Sequence, residues 1–179
     1  MQNKIERVTP KTLIVGIDAA KETHWARMTD WRGIDLAKPF KVHNSMEGYK
    51  SLLSRIEKQC SKTGCDHVMI GIEPSSIYWK ALAWYLKLHE SKPTVVGVNP
   101  YHTKQAKELD DNTQEKSDPK DAQTIAHLVR DGRYFDIYMP QDEYSELRVL
   151  TAERKRLQKE ISRVNNIIVA IMDEYFPEY

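Results

Sequence analysis

The amino-acid sequence predicts an α/β protein: a mixed sheet of five strands with flanking helices, followed by one long helix. Five short apolar runs, most of them rich in β-branched residues, have the composition of strands. Segments with apolar residues three or four positions apart separate the later runs, and this spacing is typical of helices. From Asp142 onward, a heptad pattern predicts one further helix of about 30 residues or more.

Bulk composition restricts the class of protein. The chain has 179 residues, of which 40% are hydrophobic and 30% charged, which suits a globular domain with a real core. Its 27 basic and 26 acidic residues give a net charge of +1, which neither indicates nor excludes nucleic acid. No run approaches the roughly 18 apolar residues of a membrane span, and the N-terminus lacks a signal-peptide pattern. We therefore expect a cytoplasmic protein without a membrane partner.

The first three strands are predicted to form an antiparallel meander. Thr12 to Asp18 is the first strand. Residues 24–33 and 34–43 supply the second and third strands, joined through a turn around Trp31–Gly33.

Helices and strands then alternate. Asn44 and Glu47 have the spacing of a capping box, so the first helix is predicted to begin there. Its apolar positions at helical spacing are Met46, Tyr49, Leu53, Ile56 and Cys60. A strand over 68–73, a well-buried helix over 76–90 and a short strand over 94–100 follow.

Beyond residue 100 the chain is polar and charged as far as Asp118. We expect a short helix, a mobile loop across Asp110–Lys116 and a new helix starting near Asp118. The last helix carries a heptad seam with one charged position: Leu147, Leu150, Arg154, Leu157, Ile161, Val164, Ile168, Ile171 and Tyr175. Nothing in the sequence buries this seam, so a partner helix or a further part of the protein is expected to cover it.

The two cysteines, Cys60 and Cys65, lie close to His67. A structural zinc site needs four ligands at tighter spacing. We expect two reduced thiols at the end of a helix, and neither a zinc site nor a disulfide scaffold.

Four carboxylates stand out by position. Asp18 and Glu73 each close an apolar strand with the pattern Gly-Ile-acid, in "LIVGIDAA" and "VMIGIEPS". Asp118 and Asp121 are three residues apart, which places them on one face of a helix. If the first strand, the fourth strand and this helix pack together, the four acids converge at one edge of the sheet.

A cluster of like charges needs compensation, because each carboxylate raises the pKa of its neighbours. Mg²⁺ prefers such oxygen ligands, and two ions can clamp the attacking and leaving oxygens of a phosphodiester. A simpler interpretation is that Asp118 is a helix N-cap followed by Pro119, and that the strand-end acids bind backbone amides.

Four stretches of the sequence favour the interpretation as a metal site and make it more specific. "VGIDAAKETH", "GIEPSSIYW", "VVGVNPYHTKQAKE" and "KSDPKDAQTIAHLVRDGRY" resemble the DEDD-type transposases of the bacterial insertion-sequence family one-ten, relatives of the Piv-type DNA invertases. The resemblance implies a ribonuclease-H-like fold akin to the RuvC Holliday-junction resolvase. It also implies that Asp18, Glu73, Asp118 and Asp121 are the catalytic and metal-binding set, with Mg²⁺ or Mn²⁺ as cofactor and DNA cleavage and strand transfer as the reaction.

Members of that family continue into a second domain with a serine nucleophile, and some use a structured RNA to choose DNA targets. We therefore expect residues 1–140 to be the catalytic domain and residues 141–179 the start of a coiled-coil linker, with the serine-bearing domain absent. The implied partners are DNA, a guide RNA, and a second copy of the chain through the long helix.

Basic residues flank the acids, as phosphate binding requires. The candidates for contact with nucleic acid are Lys21, Lys104, Lys116, Lys120 and Arg130. A solvated helix face would carry a similar set.

Two other classes of protein remain open. Actin-like ATP-dependent phosphotransferases also begin with a "GID" strand and share the sheet order, but they need glycine-rich phosphate loops, and the chain has only seven glycines. A non-catalytic oligomerisation module built around the heptad helix is the other alternative.

Overall fold

The structure is a computed structural model that describes residues 4–89, 93–110, 118–140, 142–176 and 178. The chain divides into two compact units, Met1–Ile137 and Tyr138–Tyr179. The first unit contains the sheet and the helices that pack on it, and the second contains one long helix.

A mixed six-stranded sheet forms the centre of the first unit, in the order β3-β2-β1-β4-β5-β6. The strands are β1 (Thr12–Asp18), β2 (Thr23–Thr29), β3 (Phe40–His43), β4 (His67–Ile72), β5 (Thr94–Gly97) and β6 (Phe135–Asp136). Strands β1, β2 and β3 form an antiparallel meander, whereas β4 and β5 run parallel to β1. The predicted α/β class and mixed sheet are confirmed.

The sixth strand was not expected. It has two residues, paired antiparallel to β5. The Phe135 ring packs on Gly97, where a Cβ would lie only 2.4 Å from the ring. Two residues are too short for any alternation of polar and apolar side chains, so the sequence carries no strand signal there.

The helices are α1 (Met46–Thr63), α2 (Trp79–Leu88), α3 (Pro100–Asp110), α4 (Asp118–Arg130) and α5 (Asp142–Tyr175), preceded by a short 3₁₀ helix at Lys4–Arg7. Of the loop expected across Asp110–Lys116, Asp110 belongs to α3, and the rest lies outside the described residues.

The predicted cap of α1 is wrong by one residue. Ser45 is the N-cap, and its hydroxyl accepts a hydrogen bond from the Gly48 amide at 3.2 Å. Asn44 instead donates from Nδ2 to the Lys21 carbonyl at 2.9 Å and accepts a hydrogen bond from the Tyr49 hydroxyl. Both Asn and Ser are good caps, so the local pattern could not choose between them.

The expectation of reduced cysteines is also wrong, because Cys60 and Cys65 form a disulfide. Gly64 caps the C-terminal end of helix α1, with a φ of 71° in the left-handed region. The amides of Gly64 and Cys65 both donate to the Cys60 carbonyl, at 2.8 and 3.3 Å. This turn brings the two Cα atoms to 4.7 Å, within the range that a disulfide spans.

Helices cover both faces of the sheet. On one face, Ile14 and Met69 form a buried cluster with Ile125 and Val129 of α4. The opposite face carries the alternate residues of the strands, where His24 of β2 stacks on Tyr49 of α1 with ring centroids 6.3 Å apart.

The second unit consists mainly of α5, whose apolar side chains are exposed along its length. Among the described residues, no helix is both long enough and apolar enough to cross a membrane.

Candidate active site at one end of the sheet

The two Gly-Ile-acid patterns mark the place where α4 crosses the sheet. Gly16 and Gly71 are register partners on β1 and β4. A Cβ on Gly16 would lie 2.0 Å from the Ala122 carbonyl oxygen, and one on Gly71 would lie 2.4 Å from a methyl group of Val129. Only glycine lets the helix backbone approach β1 this closely.

The alternation of side chains relates the strand-end acids to these glycines. Side chains alternate along a strand, so Asp18, two residues after Gly16, lies on the α4 face. Glu73 directly follows the last residue of β4, and the same alternation, continued by one residue, would place it on that face. Ile17 and Ile72, which precede the acids, are register partners and have no exposed surface. Asp18 and Glu73 each come directly after one of these partners, so they lie next to each other at the ends of neighbouring parallel strands. Such strands are about 4.8 Å apart.

The third described acid, Asp121, is the fourth residue of α4 and precedes Ala122, the residue packed on Gly16. The first turn of α4 is thus next to the end of β1. The Asp121 side chain is 24% exposed, and its Oδ1 lies 2.7 Å from Lys107 Nζ on α3. Asp118 begins the same helix, but its side chain lies outside what the structure describes.

The backbone therefore brings Asp18, Glu73 and Asp121 to one face at one end of the sheet. Within the described part of the chain, however, no three acidic, histidine or cysteine side chains are grouped closely enough to hold a metal ion. Carboxylate oxygens are the donors that Mg²⁺ prefers, so the chemistry of the set suits the ion, although the described side chains have not converged on one point.

A row of cross-strand partners leads from Asp18 to the edge of the sheet, and sequence reasoning missed it. Asp18 lies opposite Trp25 on β2, and Trp25 lies opposite Lys41 on β3. The Lys41 ammonium is 5.2 Å from the centroid of the Trp25 ring. Only the register of the meander, which apolar patterns do not give, could have revealed this row.

Three of the five predicted nucleic-acid contacts are exposed lysines on the elements that carry or adjoin the acids. Lys21 is exposed in the loop that follows Asp18, Lys120 is exposed beside Asp121, and Lys104 is exposed on α3. Lys116 lies outside the described residues.

Arg130 lies at the other end of α4, about 13 Å along the helix from Asp121. Its guanidinium donates to the Asp131 carboxylate at 2.7 Å and to the Arg32 carbonyl at 3.2 Å. The bond to the Arg32 carbonyl fastens the β2–β3 loop to the helix.

The loop after Asp18 is held by a residue on the face of the sheet opposite α4. His24 has no exposed surface, and its Nδ1 accepts a hydrogen bond from the Ala20 amide at 3.1 Å. Burial lowers the pKa of the His24 imidazole below its ordinary value. A neutral His24 therefore holds the backbone two residues after Asp18.

The fold and this end of the sheet define an α/β protein with carboxylates at the ends of two adjacent parallel strands and a third on the helix above them. The chain belongs to the IS110-type DEDD transposase family: the profile of that family, described as "Transposase", matches residues 15–177. The resemblance seen in the sequence is confirmed.

A curated relative and two solved structures are similar to the chain. The "Mini-circle putative transposase for IS117" of Streptomyces coelicolor is 25% identical over 170 residues, or 93% of this chain and 39% of the relative. The chain thus spans about two-fifths of the length of that relative. Two structures of RuvC from Thermus thermophilus, one in complex with a Holliday junction substrate, are each 16% identical. Their TM-scores are 0.47 and 0.45, and each match covers 70% of this chain and 99% of the other.

Proposed function

We propose that this chain is the DNA-cleaving domain of an insertion-sequence transposase, in which Asp18, Glu73, Asp118 and Asp121 hold Mg²⁺ or Mn²⁺ against a phosphodiester. The observation that carries the proposal is the pairing of Gly16 with Gly71 beneath α4. That contact explains why both strands carry a glycine two residues before the acid. It also places the first turn of α4 beside the end of β1, which supports a site built from strand and helix acids.

Each carboxylate has a defined part in this proposal. Asp18 and Glu73 supply oxygen ligands from rigid strand ends, and Asp118 and Asp121 supply them from the first turn of α4, where the helix dipole favours negative charge. The bound ions would stabilise charge on the attacking and leaving oxygens of the phosphodiester. Fixed strand and helix ends keep the ligands in place, so little reorganisation is needed.

The flanking cations complete the proposed site. Lys21, Lys104 and Lys120 are exposed on the elements that carry or adjoin the acids, and they would bind backbone phosphates without reading sequence. Lys116 is kept as a candidate on its position in the sequence. Arg130 is the weakest candidate, because its guanidinium already holds Asp131 and the Arg32 carbonyl.

Strand transfer needs a nucleophile held in line with the scissile bond. By the family resemblance, we assign that nucleophile to a serine in a further domain, with residues 1–140 as the catalytic domain and 141–179 as the start of the linker. Selection of the DNA target by a guide RNA, and a bacterial cytoplasmic location, belong to the same proposal.

We also propose that a second copy of the chain binds along α5. The heptad residues Leu157, Ile161 and Ile168 are 50%, 60% and 53% exposed, and they belong to an apolar stripe larger than monomers usually leave in water. Arg154 interrupts this seam and is its weakest position.

The test uses the chain of residues 1–179 and a branched DNA oligonucleotide. We expect weak binding that falls steeply as salt rises, and slow Mn²⁺-dependent hydrolysis. Asp121→Asn should remove the hydrolysis and keep most of the binding, whereas Lys120→Gln should weaken the binding and reduce its salt dependence. Binding that does not respond to salt, or hydrolysis that survives Asp121→Asn, would contradict the proposal.

A further inference from the structure

The ion pair between Lys107 and Asp121 joins the end of one helix to the start of the next. Lys107 lies in the last turn of α3, and Asp121 is the fourth residue of α4. Each charge lies at the helix end that favours it, because cations are stabilised at the C-terminal end of a helix dipole and anions at the N-terminal end.

The position of Lys107 is set by its own helix. Thr103, one turn earlier and therefore on the same side of α3, is 1% exposed, and its hydroxyl donates to the Asn99 carbonyl at 3.3 Å. Ala106 packs against the buried cluster that contains Ile125 and Val129 of α4. Because this part of α3 is fixed, Lys107 reaches Asp121 from a rigid base.

The pair occupies one of the carboxylates that the proposed metal site needs. Asp121 shares its face and its end of the sheet with Asp18 and Glu73, so the negative charges there need a counter-charge. The Lys107 ammonium, 2.7 Å from Oδ1, provides one. An ammonium this close offsets the charge of the Asp121 carboxylate, and it therefore competes with a cation for that charge.

We propose that Lys107 is the counter-ion of the metal-free site, and that its ammonium leaves Asp121 when a divalent cation is taken up. Lys107 is then a positioning residue, since it touches neither substrate nor cation and sets the affinity of the acids for the cation. This inference rests on the proposed function, because it requires that Asp121 is a ligand.

A purely structural ion pair predicts something different. If Lys107 only fastens α3 to α4, its removal lowers stability equally with and without metal. If Lys107 competes with the cation, its removal destabilises the metal-free protein and leaves the loaded protein as stable as the wild type. Because both side chains are partly exposed, at 38% and 24%, the competition is modest, about two- to fivefold in affinity.

The experiment is a calorimetric Mn²⁺ titration of the chain, combined with its melting temperature with and without Mn²⁺. Lys107→Met should bind Mn²⁺ about two- to fivefold more tightly than the wild type and melt lower only without the ion. Lys107→Arg, which keeps the charge, should restore wild-type behaviour. Lys58→Met, which removes an exposed lysine from α1, is the control for net charge.

The outcomes separate this inference from the proposed function. If Asp121→Asn weakens Mn²⁺ binding but Lys107→Met binds like the wild type, the metal site stands and the role of Lys107 is overturned. Equal loss of stability with and without Mn²⁺ in Lys107→Met overturns it as well. If Asp121→Asn binds Mn²⁺ as the wild type does, both proposals fail.

Discussion

Helices α4 and α5 carry similar apolar spacing and have opposite environments. In α4, Ala122, Ile125 and Ala126 have no exposed surface, whereas Leu157 and Ile161 of α5 are 50% and 60% exposed. The apolar period shows that a helix has a face to bury, but it does not show what buries it. For α4, the surface that buries this face is indicated elsewhere in the sequence, by the glycines of β1 and β4.

The comparison also separates two kinds of contact. Glycine lets the backbone of α4 approach β1, so this packing is specific to one position of the helix. The stripe on α5 is a heptad seam, which pairs with another helix by side-chain interdigitation. We therefore expect α4 to tolerate almost no change at its contact and α5 to tolerate conservative apolar changes.

The largest effect is expected from Gly16→Ala. Its Cβ would lie 2.0 Å from the Ala122 carbonyl oxygen and 2.6 Å from the Ala126 amide nitrogen, and neither backbone atom can move without shifting α4. We expect a loss of about 3 kcal/mol or more in the free energy of unfolding, because overpacking is costly where the backbone must move. Denaturation with guanidinium chloride measures it.

Gly71→Ala is the matched control for this prediction. There the Cβ would meet side-chain methyl groups of Val129 and Ile125, at 2.4 and 3.1 Å, which can shift at a lower cost than backbone atoms. We expect a loss of about 1–2 kcal/mol in the free energy of unfolding. Equal losses at the two positions would show that the contact with β1 is not the closer one.

A smaller effect is expected from Ile161→Glu on α5. We expect the wild-type chain to associate, and the substitution to weaken association by about 2 kcal/mol, roughly 30-fold, because a carboxylate would enter an apolar seam. Sedimentation equilibrium measures the change. Arg156→Ala, which removes the ion pairs to Glu153 and Glu160 on α5, is the control and should have little effect. A wild-type chain that stays monomeric at high concentration would reject the seam as an interface.

Much of the fold could be predicted because strand signals are local. The runs that became β1, β4 and β5 are short, apolar and continuous, as buried parallel strands are. Strand β6 is too short to carry a pattern, and the disulfide depends on the left-handed turn at Gly64, which cysteine spacing alone does not give.

Some features of the candidate site could likewise be predicted from local patterns, and others could not. Asp18 and Glu73 were found because an acid at the end of an apolar strand is conspicuous. The ion pair of Lys107 with Asp121 and the row from Asp18 to Trp25 depend on how separate elements pack, and no local pattern records that. The shared Gly-Ile-acid pattern was the one signal that linked distant parts of the chain. Its glycines contact α4, and its acids are the proposed ligands.

The central claim is that α4 and the two strand ends form a site for divalent cations. The most direct measurement is the melting temperature of the chain with and without millimolar Mn²⁺, in the wild type and in Glu73→Gln. Because an ion that binds only the native state stabilises it by mass action, we predict a higher melting temperature for the wild type with Mn²⁺. Glu73→Gln should lose that gain and melt no lower than the wild type without metal, since one repelling charge is gone. A wild-type melting temperature that Mn²⁺ does not change, or an equal gain in Glu73→Gln, would contradict the claim.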